Sequence, residues 1–175
     1  MLENYQFLAV YNKVINEKIY TACEKISDDY RKKDCGAFFE SIHNSLNHLV
    51  LADKIWLNRF SKQNVNFSSL TEEILEIKGG FTSLNDVLFD DFEELKIHRF
   101  KMDLAIENWS KELTEEFLAS TMHYKNIKGV KREHATWKAL SHFFNHQTHH
   151  RGQVTTLLSQ FNIDYGITDL IALVE

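Results

Sequence analysis

Proline is absent from this chain of 175 residues, where average usage of about 5% would give roughly eight or nine. Glycine is scarce too, at 6. So few helix breakers leave the backbone free to form long helices, and the composition excludes a collagen-like chain. Cys23 and Cys35 are the only cysteines, too few for a disulfide framework, and they fit a reducing compartment. The longest apolar runs span a few residues, as in Leu49-Val50-Leu51-Ala52, so no membrane-spanning segment is expected. The opening Met1-Leu2-Glu3-Asn4-Tyr5-Gln6 lacks a basic stretch followed by an apolar one, and the expected location is the cytoplasm. An excess of basic residues is also missing. Lys plus Arg is 20 against 25 for Asp plus Glu, a net charge of −5. That balance argues against a general nucleic-acid binder, which needs a basic footprint to displace counterions.

The residues that are there describe an ordinary globular protein. Hydrophobic residues make up 43% and charged residues 26%, and the length suits one domain, residues 1–175, around one core. Apolar positions recur every three or four residues in four stretches, which predicts four amphipathic helices. The first runs from about Glu3 to Ile26, the second from about Ala37 to Phe60, the third from about Leu84 or Asp86 to Leu113, and the fourth from about Glu133 to Ser159. Ser27 to Asp34 interrupts the first two. A short helix near Thr71, capped by Thr71 or Ser69, closes at Gly79-Gly80. The acidic run Asp90 to Glu94 suits the start of the third helix. Phe38, Phe39 and Ile42, with Trp56 and Phe60, have the spacing of core stripes. Met122 to Val130 is β-compatible with a turn at Gly129. The expected fold is all-α: a four-helix bundle with a short hairpin or extended loop before the last long helix, then a short tail from Phe161 to Glu175.

Nine histidines are present, and their placement carries more than their number. The fourth helix reads His142-Phe143-Phe144-Asn145-His146-Gln147-Thr148-His149-His150-Arg151-Gly152-Gln153. Histidines four apart stand one turn apart on one helix face, where both imidazoles can reach one metal ion. Two overlapping pairs exist, His142 with His146 and His146 with His150. A helical wheel, turning ~100° per residue, chooses between them. His150 falls about 40° and His146 about 80° from the centre of the apolar face, whereas His142 and His149 lie about 120° and about 140° away. His146 and His150 are thus the inward pair, and His142 and His149 are expected at the surface. Two imidazoles do not complete a tight site, so a third ligand must come from another helix. On the second helix His43, His48 and Asp53 are all candidates, and periodicity does not choose among them.

These residues resemble the DinB/YfiT-like superfamily of metal-binding four-helix bundles. The carrying segments are Ser41-Ile42, Leu46-Asn47-His48-Leu49, Ala52-Asp53-Lys54-Ile55-Trp56-Leu57 and the His-x-x-x-His-Arg-Gly-Gln run from His146 to Gln153. Tyr11-Asn12 and Asn16-Glu17-Lys18 fit more loosely, and the likeness extends over nearly the whole chain. The resemblance implies a metal triad of His48, His146 and His150 that holds a divalent ion, zinc or nickel. Two departures stand out: Val14 where relatives commonly have Trp, and Asp164-Tyr165-Gly166-Ile167-Thr168-Asp169 without the proline common in that tail.

Some relatives are transferases or isomerases that use a small thiol such as bacillithiol, mycothiol or glutathione. By that likeness the expected function is a metal-dependent transferase in which the ion activates a thiol toward an electrophilic substrate, with hydrolysis as a variant. The alternatives are a metal-binding module without turnover and a helical interaction protein whose histidines are structural. His123, Tyr124 and Asn126 are candidate pocket residues, and no general acid or base is assigned. A homodimer is common among the relatives and is expected here on that ground.

Overall fold

The structure is a computed structural model that describes residues 1–173; the tail positions Val174 and Glu175 lie outside the described residues. In chain order the elements are α1 (Leu2–Cys23), α2 (Asp28–Lys32), α3 (Ile42–Ser61), α4 (Glu72–Leu75), α5 (Phe92–Glu112), α6 (Glu115–Ala119), β1 (Thr121–Lys125), β2 (Lys131–Ala135) and α7 (Thr136–Gln160). A 3-10 turn at Leu170–Leu173 follows. The four long helices form the expected bundle: α1 packs against α5 and α7, and α3 packs along α7. Ile15, Ile19, Leu46, Leu57, Phe60, Leu95, Trp109, Leu140 and Phe143 fill the space between them. Among the described residues no helix is long and apolar enough to cross a membrane.

The helix starts differ from the periodic expectation for identifiable reasons. The second long helix begins at Ile42 rather than Ala37, with the Ser41 hydroxyl accepting from the Asn44 backbone N–H at 3.1 Å. Before it, Ala37 and Glu40 close a tight turn in which Glu40 takes a left-handed φ of 64°. That turn directs Phe39 inward and leaves Phe38 78% exposed, so Phe38 is not the core residue its spacing predicted. The third long helix starts at Phe92, capped by the Asp91 carboxylate on the Glu94 N–H at 2.8 Å. Leu84 to Phe89 stays irregular because α3 satisfies its backbone. The Asn47 side-chain oxygen accepts from the N–H groups of Leu88 and Phe89, both at 2.9 Å, and its amide donates to the Phe89 carbonyl at 3.0 Å. A side chain that meets these groups removes the drive to pair them within a helix.

The predicted hairpin is present as β1 and β2, antiparallel, with Met122 opposite His134 and His123 opposite Glu133. Gly129 takes the left-handed φ of 76° that its turn requires. The Asn126 side chain accepts from the N–H groups of Lys128 and Val130, each at 3.0 Å. Because Glu133 is held in this ladder, the last long helix begins at Thr136. The short helices α2 and α6 lie in stretches that periodicity left unassigned. Each starts on a hydroxyl cap, Ser27 and Thr114.

A polar network lies inside the bundle. Arg99 on α5 donates to Asp53 of α3 at 2.6 Å and to Asp103, one turn along α5, at 2.7 Å. Asn12 and Asn16 of α1 donate to Asp103 at 3.0 and 2.9 Å. Gln147 of α7 donates to Asp53 at 3.0 Å. Arg151, one turn further, donates to Gln147 at 3.3 Å and to the Asn12 side-chain oxygen. All seven side chains are buried, and the two arginines balance the two aspartates. Burial pushes the Asp103 carboxyl up to about 6, with the Arg99 guanidinium opposing the rise. For Arg99 burial works to lower the pKa, but Asp103 and Asp53 outweigh it and hold the guanidinium charged.

Replacing Arg99 by Ala strands both carboxylates in the core, and breaking such a buried pair costs about 3–5 kcal/mol. The half-exposed pair Lys13–Glu107, at 3.0 Å, is worth about 0–1 kcal/mol. Urea denaturation should therefore show a large fall in midpoint for Arg99→Ala and a small one for Lys13→Ala. Equal shifts would contradict the structural weight given to the network.

Candidate metal centre

Three imidazoles meet where α3 and α7 pack. His146 and His150 stand one turn apart on α7 and face His48 on α3. The metal-capable nitrogens of the three lie within 4.8 Å of one another. The Nε2 atoms of His48 and His146 are 3.4 Å apart. Two nitrogens at the usual bond length from one tetrahedral zinc ion lie about 3.3 Å apart, so this spacing suits a shared ion.

The surroundings fix which nitrogen of each ring points inward. His48 Nδ1 lies 2.9 Å from the Leu84 carbonyl, which only accepts, so the ring proton resides there and Nε2 offers its lone pair. His150 Nδ1 lies 2.8 Å from the Gln153 side-chain oxygen, which orients that ring in the same way. Phe39 stacks on His48 with ring centroids 3.9 Å apart and meets His150 edge-on at 5.5 Å. Such outer partners set ring orientation and ligand basicity. Two lone pairs converging on a third imidazole are a donor set that a cation satisfies.

Burial favours neutral rings. It pushes His48 down to about 4, with the Leu84 hydrogen bond opposing and His150 adding to the fall. His146 is pushed down to about 3 by burial and then by the neighbouring His150 and His48. His150 is lowered as well, again mainly by burial. At neutral pH all three offer lone pairs to a metal without first losing a proton.

The other candidates from the sequence are engaged elsewhere or stand apart. His43 Nε2 lies 2.9 Å from the Phe89 carbonyl, and Asp53 is committed to Arg99 and Gln147, so neither joins the triad. His149 is exposed, as the wheel placed it. His142 is exposed too, yet it lines a cavity of about 300 Å³ together with His48, His146, Ala52 and Trp56. Trp56, expected as core, is half-buried against His142 at a centroid distance of 4.9 Å. A larger cavity of about 880 Å³ holds His123, Tyr124 and Asn126, and it meets the smaller one through Ile55, Arg59, Asn126 and Ile127. Among the described residues that line the larger cavity, none belongs to the triad. Sequence reading missed Phe39 and Gln153 as supports, although Gln153 follows His150 by the three residues that bring helical side chains together.

The profile of the DinB family matches residues 1–172. The chain belongs to the DinB family. Protein DinB of Bacillus subtilis (strain 168) is 22% identical over 163 residues, covering 90% of this chain and 88% of that protein. No solved structure matches the chain. The two departures from the DinB pattern leave the triad intact. Val14 is partly exposed on α1, and the proline-free tail is strapped to that helix by Lys18 on the Ile167 carbonyl at 2.8 Å and Tyr11 on that of Thr168 at 2.7 Å.

The lowered pKa values set a direction for acid behaviour. A histidine that is harder to protonate when folded contributes stability that is whole above the unfolded value, near 6.5. That contribution is lost as the pH falls through the folded values of about 4 and about 3. In metal-free protein the imidazole resonances of His48 and His146 should therefore stay unmoved on acidification until about pH 5. Titration of both near 6.5 would show that the triad is not held as described.

Proposed function

We propose that His48, His146 and His150 hold a divalent ion, zinc or nickel, and that the chain is a metal-dependent transferase joining a small thiol to an electrophile. The observation that carries this reading is the convergence of three neutral imidazoles, all within 4.8 Å, beside a cavity wide enough for a ligand. Such an ion, when bound, lowers the pKa of a thiol or water beside it and so supplies a nucleophile near neutral pH. The chain's own part is to hold three nitrogens in one arrangement and to leave one side open. Phe39 covers the triad from the α3 end, and Trp56 and Ala52 form the wall facing the cavity. In this reading His142, the imidazole of that cavity outside the triad, takes the proton released by the thiol. Desolvation of the part of its ring that lines the cavity lowers its pKa, and Arg59 adds to the fall.

Elemental analysis of protein purified without an affinity tag should find about one metal ion per chain. His48→Ala and His146→Ala should lose it and His149→Ala should keep it. The loaded protein should then speed the reaction of a small thiol with an aromatic electrophile, and His142→Gln should slow that reaction without loss of metal. Wild type that holds no metal and refuses added zinc and nickel would overturn the site. Bound metal without turnover would leave a metal-binding module.

A further inference from the structure

Among the described residues Arg59 is the one charged side chain lining the cavity beside His48 and His146. It lies on α3, eleven residues after His48, so about three helical turns and 16 Å along the same face. Ala52, Ile55 and Trp56 fill that face between the two. The guanidinium sits in the corner of two touching rings, 4.6 Å from the Trp56 ring centre and 4.7 Å from that of Tyr124, with the two ring centres 5.4 Å apart. Half-buried arginines normally find a carboxylate, because its fork of donors matches one. Among the described residues Arg59 has no carboxylate partner and its side chain donates no hydrogen bond, whereas Arg31, Arg99 and Arg151 all donate. Among the described residues the adjoining larger cavity is also lined by Lys62 and Lys125 and by Glu72 and Glu76, two charges of each sign. The single positive charge left over is that of Arg59.

We propose that Arg59 is the anchor for a carboxylate on the small molecule that occupies the site, so that the ligand runs from the triad along the α3 face with its anionic end on Arg59. This specificity rests on the metal-dependent reading above. The two rings hold the guanidinium in place without using its N–H groups, which leaves those donors for two parallel hydrogen bonds to a carboxylate. Ile55 and Ile127 line the path, which suits an apolar middle. One monocation matches one carboxylate and leaves a phosphate dianion half-neutralised. The ligand class is therefore a monocarboxylate with a thiol at its far end, or an electrophile of similar shape.

A matched pair of probes separates the two ends. Mercaptohexanoate and mercaptohexanol have the same length and the same thiol and differ only in the carboxylate. Isothermal titration of zinc-loaded wild type should find the acid bound about ten- to a hundredfold more tightly, the worth of a charge-assisted hydrogen-bonded pair. Arg59→Met should bring the two affinities together while leaving mercaptohexanol binding and zinc content unchanged, and Arg59→Lys should restore part of the preference. A residue that merely braced the fold would lower both affinities and leave their ratio alone. Equal binding of acid and alcohol by wild type would overturn the anchor and leave the thiol reading standing. Zinc-loaded protein that binds neither probe would overturn both, and a chain that takes up no zinc would remove the ground of each.

Discussion

Arg99, placed between Asp53 and Asp103, joins α5 to α3 and, through Asn12, Asn16, Gln147 and Arg151, to α1 and α7 as well. A hydrophobic core tolerates small rotations of a helix about its axis, because one apolar side chain replaces another at little cost. A buried charge does not tolerate them, since a lost partner leaves an unpaired group in a medium that cannot solvate it. Gln147 and Arg151 each follow a histidine of the triad by one residue. The rotation that turns those two side chains into the network therefore also aims His146 and His150 at α3. Asp53 does the same for the helix that carries His48. Two aspartates held by one arginine, with a second arginine bound through amides, thus fix the facing of two helices, and with it the convergence of three imidazoles.

Much of this was legible in the chain. The absence of proline and the three-to-four spacing of apolar residues gave four long helices. The wheel separated His146 and His150 from His142 and His149. What it read was burial: in the structure His150 is buried, His146 half-buried, and His142 and His149 exposed. Partner identity is a different quantity. His43, His48 and Asp53 all sit on the buried side of α3, and what distinguishes them is a carbonyl at Phe89, a carbonyl at Leu84 and an arginine on another helix. None of those contacts leaves a periodic trace. Resemblance to a family supplied His48 where pattern could not.

The errors share that origin. Leu84 to Phe89 continues the apolar periodicity of the third helix but gives its backbone groups to Asn47, His43 and His48, so the helix starts later than the pattern suggests. Asn12, Asn16, Arg99 and Arg151 are residue types that a sequence reader places at the surface, and they are buried because they meet one another. Trp56 has the spacing of a core residue and packs as one on its inner edge, while its other face serves the cavity beside His142 and Arg59. A single helix, α3, thereby carries a metal-ligand candidate, a cavity wall and a cationic end, all in register with the charge that locks it in place.

X-ray absorption at the zinc edge of the zinc-loaded, tag-free protein would count the ligands that the bundle presents. Three imidazole nitrogens at about 2.0–2.1 Å are expected, with further oxygen or nitrogen atoms completing the shell. Sulfur at about 2.3 Å, or a shell with fewer than three imidazoles, would contradict it.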